Sequence, residues 1–359
     1  MTGDTLLDLP PGTARDRIAA WAANRGLPRY RAEQMARRLW VAPVERWGAA
    51  TELPLELREA LDREHPLPRL EPEVIQQSSD GTRKYLWRLA DGEAVESVLI
   101  PSGGRRTLCI SSQAGCALRC AFCATGAMGF SRNLELFEIA GQAREMRLLD
   151  DPVHVTNIVF MGMGEPLMNW KAVSPTLTVL NDPRGLGIGA RHITVSTVGV
   201  LPGIVALGER PEQFRLAISI HAPSDELRQQ LMPINTKYPL ADVIEAAKVF
   251  DRRVTFEYVM LGGVNDRPEH ARQLSALARE CRAFVNLIPL HPGGSQGFVP
   301  TTATDIARFA RLVRDRGVEV AIRKSRGMDI AAACGQLRVE RLGRRAPRAA
   351  DQHGDVQVA

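Results

Sequence analysis

From residue 105 to residue 324, apolar β-rich runs alternate with helical stretches, and this alternation limits the possible folds more than any other feature. The runs RTLCISS, VTNIVFMG, RHITVSTVG, FRLAISIH, RVTFEYVML and AFVNLIPL read as strands, and helices begin near Leu134, Lys171, Leu201, Ser224 and Pro268. Strands separated by helices of this length pair in parallel through right-handed crossovers, so the spacing predicts an α/β core, a partial (β/α)6 barrel. An open, doubly wound sheet is the competing arrangement. A last unit over 302–324 ends in VEVAIRKS.

The flanks differ in pattern. Residues 1–70 carry three helical stripes: Ile18, Trp21 and Ala22; Met35, Ala36, Leu39 and Trp40; and LPLELREALDREHP. They are expected to form a small helical accessory domain. Its basic stretch, Arg25, Arg29, Arg31, Arg37 and Arg38 against Glu33, suits either a phosphate backbone or a solvated helix face. Residues 71–104 hold turn signals in SSDGTR and ADGE around KYLWRL and AVESVLIP, which predicts a connecting β-hairpin segment. The core is assigned to 105–330 and a C-terminal segment to 331–359, polar, arginine-rich and expected to be disordered beyond Leu342.

With 359 residues and 45% hydrophobic content, the chain can bury one large core and a smaller second one. No run approaches the roughly 18 apolar residues of a membrane span, and MTGDTLLDLPPG lacks the marks of an export signal, so a cytoplasmic protein is expected. A net charge of +5 permits an anionic partner without requiring one.

On a β/α core, side chains from neighbouring loops converge at the C-terminal ends of the strands. The informative segments fall there: GCALRCAFC, MGMGEP, STVG, SIHAP and IPLHPGG. Cys116, Cys120 and Cys123 crowd one loop. A structural zinc site takes four ligands from two pairs, and here the second pair is absent. A 4Fe-4S cluster held by three thiolates instead leaves one iron open, as catalytic metal sites leave a position for substrate.

The Cys-x3-Cys-x2-Cys spacing after the first barrel strand resembles the radical S-adenosylmethionine (SAM) superfamily, in which SAM chelates the open iron. The resemblance implies a radical SAM barrel, a 4Fe-4S cluster on Cys116, Cys120 and Cys123, and SAM contacts from Gly164 and Glu165 of MGMGEP, Ser196, and Ser219, Ile220 and His221. More narrowly, RTLCISSQAGCALRCAFCATG, GFSRNL, VFMGMGEPLMNW, ISIHAP, LMPINTKYPL, FEYVMLGGVND and RKSRGMDIAAACGQL resemble the RlmN/Cfr family of radical SAM RNA adenine methyltransferases, RlmN more than Cfr. YRAEQMARRLW looks like that family's helical RNA-binding domain.

That likeness implies methylation of carbon 2 of an adenine in 23S rRNA at the peptidyl-transferase centre, with an adenine beside the tRNA anticodon as a second target. An electron-poor ring carbon cannot attack electrophilic SAM, so the chemistry is radical. One SAM methylates a cysteine and a second, cleaved to a 5′-deoxyadenosyl radical, takes a hydrogen from the S-methyl group. The carbon radical adds to the base, a carboxylate removes the ring proton, and a second cysteine releases the RNA by forming a disulfide. The family's methyl-carrying cysteine corresponds to Cys334, the resolving cysteine to Cys109 and the proton acceptor to Glu96. From the residues alone, each also suits ordinary packing or a surface charge. Two SAM molecules per turnover, a flavodoxin- or ferredoxin-type electron donor and a monomeric enzyme are also expected. Where the family has an asparagine that contacts SAM, this chain has His291, whose imidazole offers a hydrogen bond that depends on tautomer. Carbon 8 methylation, as in Cfr, and a radical SAM enzyme with a non-RNA substrate remain alternatives.

Overall fold

A computed structural model describes residues 5–291, 297–332 and 335–337. Three helices come first: α1 (Pro11–Ala23), α2 (Arg29–Trp40) and α3 (Leu55–Glu64). Proline opens or precedes each, where a missing N–H costs nothing. Their apolar faces bury Ile18, Trp21, Met35, Leu39, Trp40 and Leu61 around Trp47, and the Trp47 indole donates to the carbonyl of His65 at 2.7 Å.

The connecting segment holds β1 (Pro72–Gln77), β2 (Arg83–Arg88) and β3 (Ala94–Ser102), an antiparallel meander that runs on through β4 (Arg105–Cys109). It contributes one strand more than the expected hairpin, because PEVIQQ pairs along the outside of β2. A short ladder of β5 (Gln113–Gly115) with β6 (Phe130–Asn133) encloses α4 (Ala124–Met128).

The β/α units follow as α5 (Leu136–Glu145), β7 (Asn157–Phe160), α6 (Trp170–Asn181), β8 (Ile193–Thr197), α7 (Leu201–Gly208), β9 (Arg215–Ser219), α8 (Asp225–Leu231), α9 (Leu240–Val249), β10 (Val254–Met260), α10 (Pro268–Glu280), β11 (Phe284–Pro289), α11 (Ala303–Arg314) and β12 (Val320–Ile322). One sheet has the order β1-β2-β3-β4-β7-β8-β9-β10-β11-β12, parallel from β4 onward. This is a partial barrel with an antiparallel extension, and β1 and β12 are its edges.

Buried strand residues such as Leu108, Ile158, Ile193, Leu216, Phe256 and Val285 form the core beneath the helices. Two arginines of the α5 region join the N-terminal helices to the barrel. Buried Arg144 donates to the carbonyls of Leu39 and Val44 at 2.8 and 2.7 Å. Arg147 donates to those of Trp40 and Val41 at 3.0 and 2.9 Å. Both reach carbonyls at the end of α2 or just beyond it, where the helix supplies no N–H to satisfy them. Among the described residues no helix is long and apolar enough to cross a membrane.

Candidate active site

The three clustered cysteines lie on the loop between β5 and α4. The β5/β6 ladder closes the base of this loop, and the Cys116 N–H donates to the Gly129 carbonyl at 2.8 Å. The Ala121 N–H donates to Leu231 at 2.9 Å and the Ala124 N–H to Gly335 at 2.8 Å, while the Thr125 hydroxyl donates to the Leu337 carbonyl at 2.6 Å. Barrel and C-terminal segment thus both hold the loop in place.

Cys116, Cys120 and Cys123 line one cavity together with Gly164, Glu165, Ser196, Ser219 and His221. Burial pushes the Cys116 thiol up to about 11 and the Cys120 thiol further, and neighbouring thiols add to both shifts. Ionised thiols at Cys116 and Cys120 therefore need a positive partner here, which the iron of a 4Fe-4S cluster provides; on this count the residues fit the group. Among the described residues no three His, Cys, Asp or Glu side chains converge on a single metal ion.

Glu165 is 3% exposed and accepts the N–H groups of Leu167 and Val198 at 3.1 and 2.9 Å. Burial pushes its carboxyl up to about 7 against those hydrogen bonds. A cationic ligand group facing it would favour the ionised form. Gly164 before it has φ +94°, and a Cβ there would lie 2.5 Å from the Gln113 side chain, whose amide oxygen accepts the Glu165 N–H at 2.8 Å.

His221, in left-handed backbone at φ 52°, is held down to about 3 by burial and by Arg228, so it is neutral. Its Nδ1 accepts the Val259 N–H at 3.0 Å, which puts the ring proton on Nε2. The Ile220 side chain is fully buried and does not line the cavity, and its N–H donates to the Glu257 carbonyl at 3.1 Å.

A second cavity adjoins the first and shares Met161, Ile288, Pro289, Arg323 and Leu337 with it. Cys109 and Val98 line it from the sheet, and His291, Lys324, Ser325 and Arg326 from the other side. His291 therefore sits apart from the cysteine loop, and its Nε2 hydrogen-bonds the Ser325 hydroxyl. Glu96 is 4% exposed, on the same face of β3 as Val98 two residues on, and forms an ion pair with Lys84. Cys334 lies outside the described residues.

Sequence reasoning did not single out Glu257, Arg323 or Lys84. Glu257 lines the cysteine cavity and accepts from the Asn286 amide at 2.8 Å, with its carboxyl raised by burial. The alternation of FEYVM, which turns residue 257 inward between apolar neighbours, was the available signal. In the N-terminal basic stretch, Arg25 binds Glu64 and Arg38 binds Glu52, so part of that charge is neutralised internally.

Comparison with known proteins gives consistent matches. The Radical SAM superfamily model matches residues 110–274. A probable dual-specificity RNA methyltransferase RlmN of Gemmatimonas aurantiaca is 68% identical over 99% of this chain and 98% of its own length. The dual-specificity RNA methyltransferase RlmN of Anaeromyxobacter dehalogenans is 44% identical over 91% and 90% respectively. A crystal structure of a radical SAM methyltransferase from Sphaerobacter thermophilus superposes with a TM-score of 0.86 at 42% identity, covering 93% of this chain and 99% of that one.

Proposed function

Because the chain belongs to the RlmN family of radical SAM RNA methyltransferases, we propose that it methylates carbon 2 of an adenine in 23S rRNA at the peptidyl-transferase centre, and of an adenine beside the anticodon of tRNA. The observation that carries this reading is the pair of adjoining cavities with common walls: the cysteine loop lines one and Cys109 the other.

Cys116, Cys120 and Cys123 would hold the 4Fe-4S cluster, with SAM beside it. When bound, the cluster and SAM supply one-electron cleavage of a carbon–sulfur bond and, from it, a carbon radical able to take a hydrogen atom. Glu165 would take the SAM ammonium, since burial has removed the water that could otherwise solvate either charge. Gly164 lets the backbone come close to the ligand. Ser196, Ser219, the backbone at Ile220 and the Nε2–H of neutral His221 offer further polar contacts.

The remaining roles concern the base. Cys334 would receive a methyl group by displacement from one SAM and, after losing a hydrogen atom from it, join the RNA through that carbon. Glu96 would accept the ring proton. Cys109 would attack the Cys334 sulfur, forming a disulfide and freeing the methylated base. Arg323, Lys324 and Arg326 at the second cavity supply the positive charge that an RNA phosphate needs. His291, tied to Ser325, would order this wall.

Adduct trapping under anaerobic reduction tests the reading. Cys109→Ala should accumulate a covalent protein–RNA adduct, whereas Cys334→Ala should form neither adduct nor S-methylcysteine. Wild-type turnover by Cys109→Ala would remove the resolving role.

A further inference from the structure

The pairing of β2 with β3 sets Lys84 opposite Val98 and Leu86 opposite Glu96, so Lys84 and Glu96 are diagonal neighbours on one face of the sheet. Lys84 Nζ stands 3.1 Å from Glu96 Oε1, and the two side chains are 11% and 5% exposed. An ammonium and a carboxylate this buried are strongly coupled, because neither has water to replace the other.

Among the described residues, several charged and titratable groups lie near Glu96. From β2 these are Lys84 and Arg88, the latter turned to Glu73 at 2.5 Å. From β4 comes Cys109, paired with Val98. Met163, after β7, accepts the Glu96 N–H on its Sδ at 3.4 Å, and the hydroxyl of Ser111, after β4, donates to the Glu96 carbonyl at 2.5 Å. Arg323, Lys324 and Arg326 line the cavity that Val98 and Cys109 share.

A proton acceptor must be ionised when its substrate arrives. Burial works against ionisation, and so does the approach of a polyanion such as RNA; a contacting ammonium works for it. We propose that Lys84 is a positioning residue for RNA methylation, holding Glu96 ionised and fixing its Oε1 so that the carboxylate can accept the proton from the reacting ring carbon. This rests on the reading of Glu96 as proton acceptor. In that step the carbon–hydrogen bond breaks, its electron pair stays in the ring system, and the proton bonds to the carboxylate. Methyl transfer from SAM to Cys334 uses neither residue and serves as an internal reference.

The test compares wild type, Lys84→Met, Lys84→Arg and Glu96→Gln as reconstituted full-length enzymes acting on an unmodified 23S rRNA fragment. Methylated adenosine per 5′-deoxyadenosine is followed against pH, together with bound iron and S-methylation of Cys334. Lys84→Met should move the acidic limb of the profile upward by about one to three pH units, the effect of losing a contacting opposite charge, with iron and S-methylation retained. Lys84→Arg should reverse most of that shift. An unmoved limb in Lys84→Met, loss of S-methylation or iron in that variant, or failure of arginine to restore what methionine loses would each overturn the proposal. Turnover by Glu96→Gln at the wild-type rate would instead overturn the underlying assignment of Glu96.

Discussion

Replacing Gly164 by alanine should damage the glycine-rich loop in two separable ways. The backbone there sits at φ +94°, which a side-chain-bearing residue adopts at a cost of about 1–3 kcal/mol. The added Cβ would also lie 2.5 Å from Gln113 Cβ, 2.7 Å from Cγ and 2.8 Å from Oε1. Overpacking of that kind costs about 1–3 kcal/mol. Together they amount to about 2–6 kcal/mol. Gly187 is the control: φ is +69° but nothing lies within 4 Å of its Cβ position, leaving only the backbone term, about 1–2 kcal/mol. Urea denaturation should therefore find Gly164→Ala the less stable variant. SAM binding by the reconstituted enzyme should weaken at least about tenfold, or about 1.4 kcal/mol, because a displaced Gln113 no longer accepts the Glu165 N–H. Gly187→Ala should bind SAM as wild type does. Equal stability of the two variants, or unchanged SAM affinity in Gly164→Ala, would refute the reasoning.

Other perturbations test other parts of the structure. Arg144→Ala leaves the Leu39 and Val44 carbonyls and the Glu145 carboxylate without their buried guanidinium. It should cost about 3–5 kcal/mol and expose the junction after α2 to limited proteolysis, and an unchanged cleavage pattern would contradict this. Cys120→Ala should lose most bound iron and sulfide after anaerobic reconstitution, measured by metal and sulfide analysis. Asp80 in the β1–β2 turn accepts the Gly327 and Thr82 N–H groups at 3.0 and 2.9 Å. Burial raises its carboxyl, but these bonds outweigh burial and hold it down to about 2 from 3.8. Its lowered folded value means the stabilisation, about 2 kcal/mol, is present above about pH 4 and fades as pH falls toward 2. The stability gap between wild type and Asp80→Asn should close over that range, and a constant gap would count against the bond network.

The barrel was legible because its strands are apolar runs with one face fully buried and the other half-buried, and its helices begin with clear signals. Ser224 caps α8 by accepting the Leu227 N–H at 3.4 Å, and Pro202 and Pro268 open α7 and α10. Less of the periphery could be read. PEVIQQ is largely exposed in β1, so its apolar alternation is faint, and the β5/β6 ladder is too short to carry a period. LADVIEAAKV forms α9 behind the 3-10 turn Pro233–Thr236, a helix absent from the expected starts.

At the site, the glycine-rich loop and cysteine spacing were visible as local strings. The Lys84–Glu96 pair was not, since it depends on strand register across a turn, although Lys84 is one of only five lysines in the chain. For His291 the sequence offers the chemistry, while its direction toward Ser325 is set by how the chain leaves β11.

The central claim is radical methylation of adenine carbon 2 by way of a protein-bound methylene. Its most direct test is anaerobic turnover with SAM carrying a trideuterated methyl group and an unmodified 23S rRNA fragment, followed by mass spectrometry of the nucleosides. The account predicts 2-methyladenosine that retains two deuteriums, the third having left with the abstracted hydrogen atom and been replaced from solvent. A methyl group with all three deuteriums, or methylation found at carbon 8, would contradict it.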